Sequence, residues 1–588
     1  MPGLVGIVST KETSKANELL LKMCEAIKYE TWHKIDTYVN KTVGLGRVHL
    51  GIFNPEPQPI YNRDKTLCIM MDGEIYDYQD LKQELVSKGH NFSINNDPEF
   101  ILSLYEEYGK DIVHKLNGSF TLVIWDEKSK ELLIINDRYG LRPLYYSTCD
   151  GYLLFGSEVK AILQDETFKK IVDDRSVAEF FSIGYILGNK TFFKEIELLP
   201  PASIMTYSKG AISNEQYWDF DFNEDHENYP EEYYIDKLSK LILQSVERQM
   251  KGNHRIGIPL SGGLDSRTIV ASIHGKYYPL HTFTFGKPNC DDVRFAQSVS
   301  KKLGALHHFF DFKPDDLTLY AEKAVNITDG MLNCIHAHRM QTYNEIRSLM
   351  DVVLGGYAGD AIMGNFLIED PDENMDDFQT FKRLCDYISV DLLKNLFNEE
   401  YLPIFNKNLN LSKDYILQIG KNIDIKSTNN RLMYYNLRER QRRFILTGSI
   451  LTRNSLEFRT PFLDNDLIDF ILTVPTTFKI NKHLYKKMIL TTFPQLADIP
   501  YQATGLPLDA TKFSIKTYFL LFKKIIYKIN RTTFKFEFLI NPKGYADYNE
   551  WIRKNGKLKE YIINILLDKK TLERTYFDQK HMKEILDA

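Results

Sequence analysis

Six residues, Ser261-Gly262-Gly263-Leu264-Asp265-Ser266, constrain this 588-residue chain more than any other stretch. They follow a short apolar run, Ile256 to Leu260, and open a run of helical pattern, Arg267 to Ile273, closed by Gly275. Strand, glycine-rich turn and helix start together make an arrangement that binds pyrophosphate. Residues without Cβ admit phosphate oxygens to the backbone, and the unpaired N–H groups of a helix start face the anion. Asp265 adds a carboxylate within reach of the Mg²⁺ that accompanies ATP. The lysine that follows the second glycine of a Walker loop is missing, so the turn is of another kind.

The surrounding pattern alternates. Strands are expected at Leu280 to Phe285, His307 to Asp311 and Asp351 to Leu354, with a helix from Asp291 to Leu303 ending at Gly304. Such alternation predicts a parallel, doubly wound α/β sheet with its ligand at the carboxyl ends of the strands. A second glycine turn, Gly355-Gly356-Tyr357-Ala358-Gly359-Asp360, follows the last of these strands. Two such turns at neighbouring strand ends would grip one nucleotide. Leu260, Ser261, Gly262, Gly263, Leu264, Asp265, Ser266, Phe285, Gly355 and Gly356 are the expected contacts, with Asp265 and Asp360 paired on Mg²⁺.

Residues 1–220 read differently, as short apolar strands interrupted by two helices. One helix runs from Leu19 to Ile27. The other runs from Asp97 to Tyr108, with Asp97 as its cap and Pro98 at its first position. Strands at Phe120 to Trp125, Leu132 to Ile135, Leu144 to Tyr146 and Tyr152 to Phe155 complete an α+β layered domain. A polar stretch from Asp219 to Pro230 is the linker, and the helix after it presents Ile235, Leu238, Ile242 and Val246 at helical spacing. Residues 506–588 form a helical extension rich in Lys, Tyr and Phe, for example Phe519 to Lys528. Its interleaved apolar and basic positions suit a helix closing the preceding domain, and also docking on a partner or a membrane surface.

Composition excludes several classes. A net charge of −5 gives no reason to expect nucleic acid. The six cysteines form no CxxC pair, and no apolar run approaches the ~20 residues of a membrane span. Without a basic segment at its start, the chain is expected to be cytoplasmic.

The first turn is similar to the SGGxDS loop of the N-type ATP pyrophosphatases, which cut ATP into AMP and pyrophosphate. Three further blocks extend the likeness: Asp72-Gly73-Glu74-Ile75-Tyr76-Asp77, Asn136 to Tyr146, and Phe155 to Ala161. They resemble the glutaminase domain of the glutamine-dependent (class B) asparagine synthetases, and with the loop the resemblance covers roughly residues 1–505. It implies an Ntn-hydrolase-like, amidotransferase-type domain over residues 1–220 and an ATP pyrophosphatase domain over 230–505. It also implies an AMP-forming carbon–nitrogen ligase that uses ATP and Mg²⁺.

The resemblance assigns further residues. Leu484 to Phe493 aligns with the family's EKxxLR helix and puts Lys486 on the catalytic lysine, with Lys487 one residue away. Tyr357 stands where asparagine synthetases carry a catalytic glutamate and β-lactam synthetases a tyrosine, so it is expected either to relay a proton or to pack beside the loop. Glu457 and Arg459 belong to an E-x-R-x-PFLD block and are expected to be ion-paired or to position substrate. Gln502 and Thr504 stand near the place of the family's R-x-K pair.

Departures cluster in the front domain. Pro2 replaces the nucleophilic cysteine, His49 the arginine that clamps the glutamine carboxylate, and Asp72 the asparagine that donates to the oxyanion. Asp97 is kept at the position that meets the glutamine amine, although a capping role explains it equally well. The expected reaction therefore joins a small-molecule or peptide carboxylate to ammonia or to a substrate amine, without glutamine hydrolysis. Closure within one substrate, as in β-lactam synthetases or lasso-peptide macrolactam cyclases, remains open, as does a non-catalytic ATP-binding role. A homodimer is compatible with the sequence.

Overall fold

The computed structural model describes residues 1–10, 16–149, 151–224, 229–332, 334–385, 393–510, 544–574 and 576–587. The N-terminal part is built on two antiparallel six-stranded sheets. The first runs in the order Glu197–Leu198, Tyr145–Cys149, Tyr152–Gly156, Gly3–Ser9, Val43–His49, Lys34–Val39. The second runs Ala211–Gln216, Ser203–Ser208, Glu131–Asn136, Gly118–Asp126, Leu67–Ile75, Ile60–Tyr61. Alternate residues of both sheets, among them Leu4, Val8, Met70, Trp125 and Phe155, meet in a shared core. Helix Ala16–Ala26 covers the outer face of the first sheet through Leu20 and Met23. Helix Asp97–Tyr108 covers the second through Phe100 and Leu104. This is the expected α+β layered domain.

One local expectation is corrected here. The cap of helix Asp97–Tyr108 is Asn96, whose side chain accepts from the Glu99 N–H at 3.0 Å. Asp97 is the first helical residue, and its carboxylate accepts from the Ile75 N–H and from Asn54, both at 3.1 Å. Asn96 has the extended backbone a cap requires.

The second domain is a five-stranded sheet with every pairing parallel, in the order Leu306–Asp311, His281–Gly286, Ile256–Pro259, Val352–Leu354, Glu457–Arg459. The chain lays down three strands in one direction, then returns to add two on the far side of the first. The order reverses between Ile256–Pro259 and Val352–Leu354, and a crevice at the carboxyl ends of that pair is where such sheets hold ligands. Helix Glu231–Met250 buries Leu238, Ile242 and Val246 as its spacing requires, with Tyr234 buried beside a half-buried Ile235. Helix Asp291–Leu303 ends at Gly304 in the left-handed conformation (φ 73°), as the sequence indicates. Within the extension, Trp551 and Leu558 pack on Phe312 and Leu317 of this domain. The stretch from Phe519 to Lys528 lies outside the described residues. No helix among the described residues is long and apolar enough to cross a membrane.

The fifth strand, Glu457–Arg459, is not evident from sequence pattern, and it joins the two domains. Residues two apart in a strand share a face, and here both reach carboxylate–arginine partners across the boundary. Arg459 donates to Glu74 at 2.7 and 2.6 Å, and Glu457 accepts from Arg142 at 2.9 Å. Arg142 and Arg453 close on Asp72 at 2.8 and 2.7 Å. All six side chains are buried. Glu457 and Arg459 are therefore structural ion pairs.

Removing one member of a buried pair strands its partner's charge, which costs about 3–5 kcal/mol. Arg459→Met should accordingly lower unfolding stability by about 3 kcal/mol or more in a denaturant titration. Lys128→Ala, which removes the solvent-exposed pair with Asp64, should leave the midpoint unmoved.

Candidate active site

The loop Ser261–Ser266 folds on itself. The Ser261 N–H donates to Ser266 Oγ at 3.0 Å, and the Gly263 N–H donates to Ser261 Oγ at 3.2 Å. The Gly262 N–H donates to Asp292 Oδ1 at 2.9 Å. Leu264 opens helix Leu264–Ser272 and lies in the core. Leu260 pairs its N–H with the Phe283 carbonyl at 2.8 Å, tying the loop's entry to the neighbouring strand.

Two residues that sequence reasoning passed over hold the loop's shape. Arg267 is fully buried and spends its guanidinium on four carbonyls: Gly262, Gly263, Ile499 and Pro500, at 2.8–3.1 Å. Burial pulls its pKa down to about 10. Asp292 takes the Gly262 N–H on one oxygen and Gln502 Nε2 on the other at 2.9 Å, while the Gln502 N–H donates to the Gly262 carbonyl at 2.9 Å. Gln502 is thus a strap over the loop, and Thr504 bonds within its own turn to Leu506. A buried arginine bonded only to carbonyls leaves no pattern in sequence, so neither partner could be picked out in advance.

The second turn lies against the first. A Cβ on Gly356 would sit 2.9 Å from the Asp265 Cβ, and one on Gly359 would sit 2.6 Å from the Asp265 carboxyl carbon. Neither glycine tolerates a side chain, because the two strand ends must approach this closely. Gly355 is held by the Arg459 carbonyl at 2.9 Å, with the Phe458 ring over its Cα. Ala358 turns the chain in the left-handed region (φ 65°) before the short helix Gly359–Ile362.

Electrostatics single out Asp265. The residue is half-buried, but its Oδ1 is shut off from solvent and has no hydrogen-bond partner. Burial first, and the neighbouring Asp360 carboxylate second, push its pKa up to about 8. Lys482, which sequence reasoning did not select, ion-pairs with Asp360 and opposes that rise. Asp265 with an orphaned oxygen beside a second carboxylate is a donor set that fits a divalent cation taking its remaining ligands from phosphate and water. Among the described residues, no group of three or more His, Cys, Asp or Glu side chains could hold a metal unaided.

The other expected residues fall around this centre. The half-buried Phe285 ring ends strand His281–Gly286 and meets the rings of His338 at 5.1 Å and Tyr545 at 6.1 Å. Lys486 is half-buried on helix His483–Thr492, its ammonium 5.7 Å from the centre of the Tyr501 ring, next to the Gln502 strap. Lys487 points outward to Glu231. The Tyr357 hydroxyl is engaged elsewhere: it donates to the Gln441 carbonyl at 2.8 Å, and burial pushes its pKa up.

In the front domain, Met1 and Pro2 are buried. Asp72 accepts from two arginines, and these overcome its burial to hold its carboxyl below the usual range. His49 Nδ1 accepts the Gly51 N–H at 3.2 Å, and burial with Arg47 nearby pushes its pKa down to about 3, so the ring is neutral. Asp97 is pushed up to about 6 by burial.

The raised Asp265 pKa has a sign that can be measured. A group whose pKa is higher in the folded state favours folding fully below its unfolded value of 3.8, and that contribution is lost as pH rises through about 8. Without added metal, the wild-type protein should therefore lose stability relative to Asp265→Asn between pH 4 and pH 8, read as a widening gap between melting temperatures. Parallel curves for the two proteins would contradict the burial assigned to this carboxyl.

Comparison with known proteins agrees with this architecture. Residues 1–218 match the family model described as a glutamine amidotransferase domain, and residues 237–496 match the model described as asparagine synthase. Asparagine synthetase [glutamine-hydrolyzing] 3 of Bacillus subtilis is 26% identical over 88% of this chain and 83% of its own length. Asparagine synthetase [glutamine-hydrolyzing] 1 of the same organism is 26% identical over 83% of each chain. A protein named amidase chyE, from Penicillium rubens, is 29% identical over 40% of this chain and 35% of its own. With an amidotransferase-type front domain followed by a parallel sheet that carries the two glycine turns, the chain belongs to the asparagine synthetase family.

Proposed function

We propose that the protein is an AMP-forming ligase that activates a carboxylate with ATP and joins it to ammonia or to an amine of the substrate, without hydrolysing glutamine. The observation that carries the first half is the orphaned Asp265 oxygen, set beside Asp360 where the strand order reverses. Mg²⁺, when bound there, neutralises charge on the leaving pyrophosphate.

The chain's own residues account for the remaining steps. The start of helix Leu264–Ser272 faces the phosphates, and the Arg267–Gln502 strap fixes the loop so that little reorganisation accompanies reaction. An oxygen of the acid attacks the α-phosphorus while the bond to the β-phosphate oxygen breaks, giving an acyl-adenylate and pyrophosphate. The amine then attacks the acyl carbon, loses a proton, and AMP departs with the bonding electrons. Lys486, held over Tyr501 beside the loop, stabilises negative charge on phosphate or acyl oxygen. Tyr357 serves the proton transfer only if substrate draws its hydroxyl off the Gln441 carbonyl.

The second half rests on Asp72. The residue aligned with the oxyanion donor is an ionised acceptor locked between Arg142 and Arg453, so it can offer no hydrogen to a developing negative charge. Pro2 supplies no thiol, and a neutral, inward-turned His49 cannot clamp a carboxylate. The front domain then acts as a structural partner of the synthetase domain.

Two tests follow. In ATP–pyrophosphate exchange screened over amino-acid and peptide carboxylates, Lys486→Ala should cost about 3 kcal/mol or more of transition-state stabilisation. Lys487→Ala should be nearly silent, since its ammonium is engaged with Glu231; a reversed order would shift the register of the helix by one residue. Purified wild-type protein should release no glutamate from glutamine, and Pro2→Cys alone should not restore release, because a nucleophile without its oxyanion hole lacks most of its assistance. Glutamate release stimulated by ATP and an acid acceptor would overturn the second half of the proposal.

A further inference from the structure

The domain boundary buries two cations that no carboxylate answers. Arg442 and Arg443 follow one another in the π-helical stretch Asn436–Ile445, a rare kind of turn that recurs at functional sites. Both are more than nine-tenths buried, at 8% and 7% exposure. Arg442 donates to the Asn189 side-chain oxygen at 3.0 Å and to the Leu199 carbonyl at 2.7 Å. Arg443 donates to the Ile186 and Lys190 carbonyls at 2.9 and 2.6 Å. All four acceptors are neutral, and among the described residues neither guanidinium forms an ion pair.

This sets the pair apart from the other arginines of the boundary. Arg142, Arg453 and Arg459 each meet a carboxylate, as buried charges ordinarily must. Glu439, on the same stretch, is spent on the Gly188 N–H at 2.8 Å and the Tyr415 hydroxyl at 3.1 Å. Arg267 shows that carbonyls alone can carry one guanidinium, but here two stand side by side. Burial first, and the Arg443 charge second, pull the Arg442 pKa down to about 9.

Both arginines line a cavity of about 20 Å³, together with Gly140, Tyr145, Thr447 and Ile450. That is room for one water-sized ion and too little for a substrate. No acidic residue belongs to its wall. Arg442 Nε has no hydrogen-bond partner, and a Cβ on Gly140 would come to 3.6 Å from it. The unused donor therefore lies on the Gly140 side of the wall.

We propose that this cavity is a binding site for one small monovalent anion, a halide, held by the paired charges of Arg442 and Arg443. The ion supplies the counter-charge that the chain itself does not. Filling the site steadies the segment that Arg442 shares with Gln441, whose carbonyl holds the Tyr357 hydroxyl of the second glycine turn. The proposal is independent of the ligase chemistry, since it concerns the boundary and not the nucleotide.

The test is a melting-temperature titration of the intact protein with sodium chloride, sodium gluconate keeping the ionic strength constant. The wild-type melting temperature should rise by about 3 °C and then level off, as binding to the folded state alone requires. Bromide should do the same. Halides are not among the salts that stabilise proteins by exclusion from their surface, so a rise that saturates marks a site. In Arg442→Met the rise should vanish, and Arg443→Met carries the same expectation should the first variant fail to fold. Arg459→Met, which removes a paired arginine of the same boundary, should melt lower yet keep the wild-type response to halide. A wild-type melting temperature indifferent to halide, or an unchanged rise in the Arg442 and Arg443 variants, would overturn the proposal.

Discussion

The three-residue strand Glu457–Arg459 carries more of the structure than its length suggests. Through one face it sends Glu457 and Arg459 into a buried lattice with Arg142, Glu74, Asp72 and Arg453. Through its backbone and its middle residue it governs the second glycine turn: the Arg459 carbonyl accepts the Gly355 N–H, and Phe458 lies over the Gly355 Cα. Interface and candidate site are therefore two sides of one strand. Buried charges tolerate little displacement, because separating them in a low-dielectric interior costs several kcal/mol. The lattice thus fixes the register of Val352–Leu354 against Glu457–Arg459, and with it the approach of Gly356 and Gly359 to Asp265.

This gives the front domain a physical role independent of glutamine chemistry. Asp72 is the residue at which a hydrolytic centre would most plainly differ. An asparagine there could donate to substrate, but it could not neutralise Arg142 and Arg453. The carboxylate does neutralise them, and in doing so it becomes an acceptor on both oxygens. Under the proposed reading, a position once suited to oxyanion binding has been committed to domain docking.

Much of the synthetase-type domain was legible because its signals are local. A glycine turn between an apolar run and a helical run, a helix of thirteen residues closed by Gly304, and alternating strands all follow from short-range propensity and period. What escaped was set by tertiary contact. Three residues cannot show a strand period, so Glu457–Arg459 read only as a block of a resembling family. Asn96 and Asp97 are both competent caps, and only the backbone angle decides between them. Arg267 sits inside a helical pattern where a charged residue predicts solvent, yet it is fully buried because four carbonyls replace water. Lys482 defies propensity altogether, since nothing local favours a lysine at positive φ.

The strap explains why those lysines matter. In this chain the segment that crosses the loop is held by hydrogen bonds: Gln502 to Asp292 and Gly262, and Arg267 to Ile499 and Pro500. Four hydrogen bonds to carbonyls hold the Arg267 guanidinium, so its charge is turned inward. Geometry and charge are consequently supplied by different elements. The strap shapes the loop, while Lys482 pairs with Asp360 and Lys486 lies over Tyr501 on the helix that buries Tyr485. Tyr485 donates to Thr268 at 3.0 Å, and Thr268 lies one turn into the loop's own helix. The helix that carries Lys486 is thereby tied to the loop's own helix through a buried hydroxyl pair.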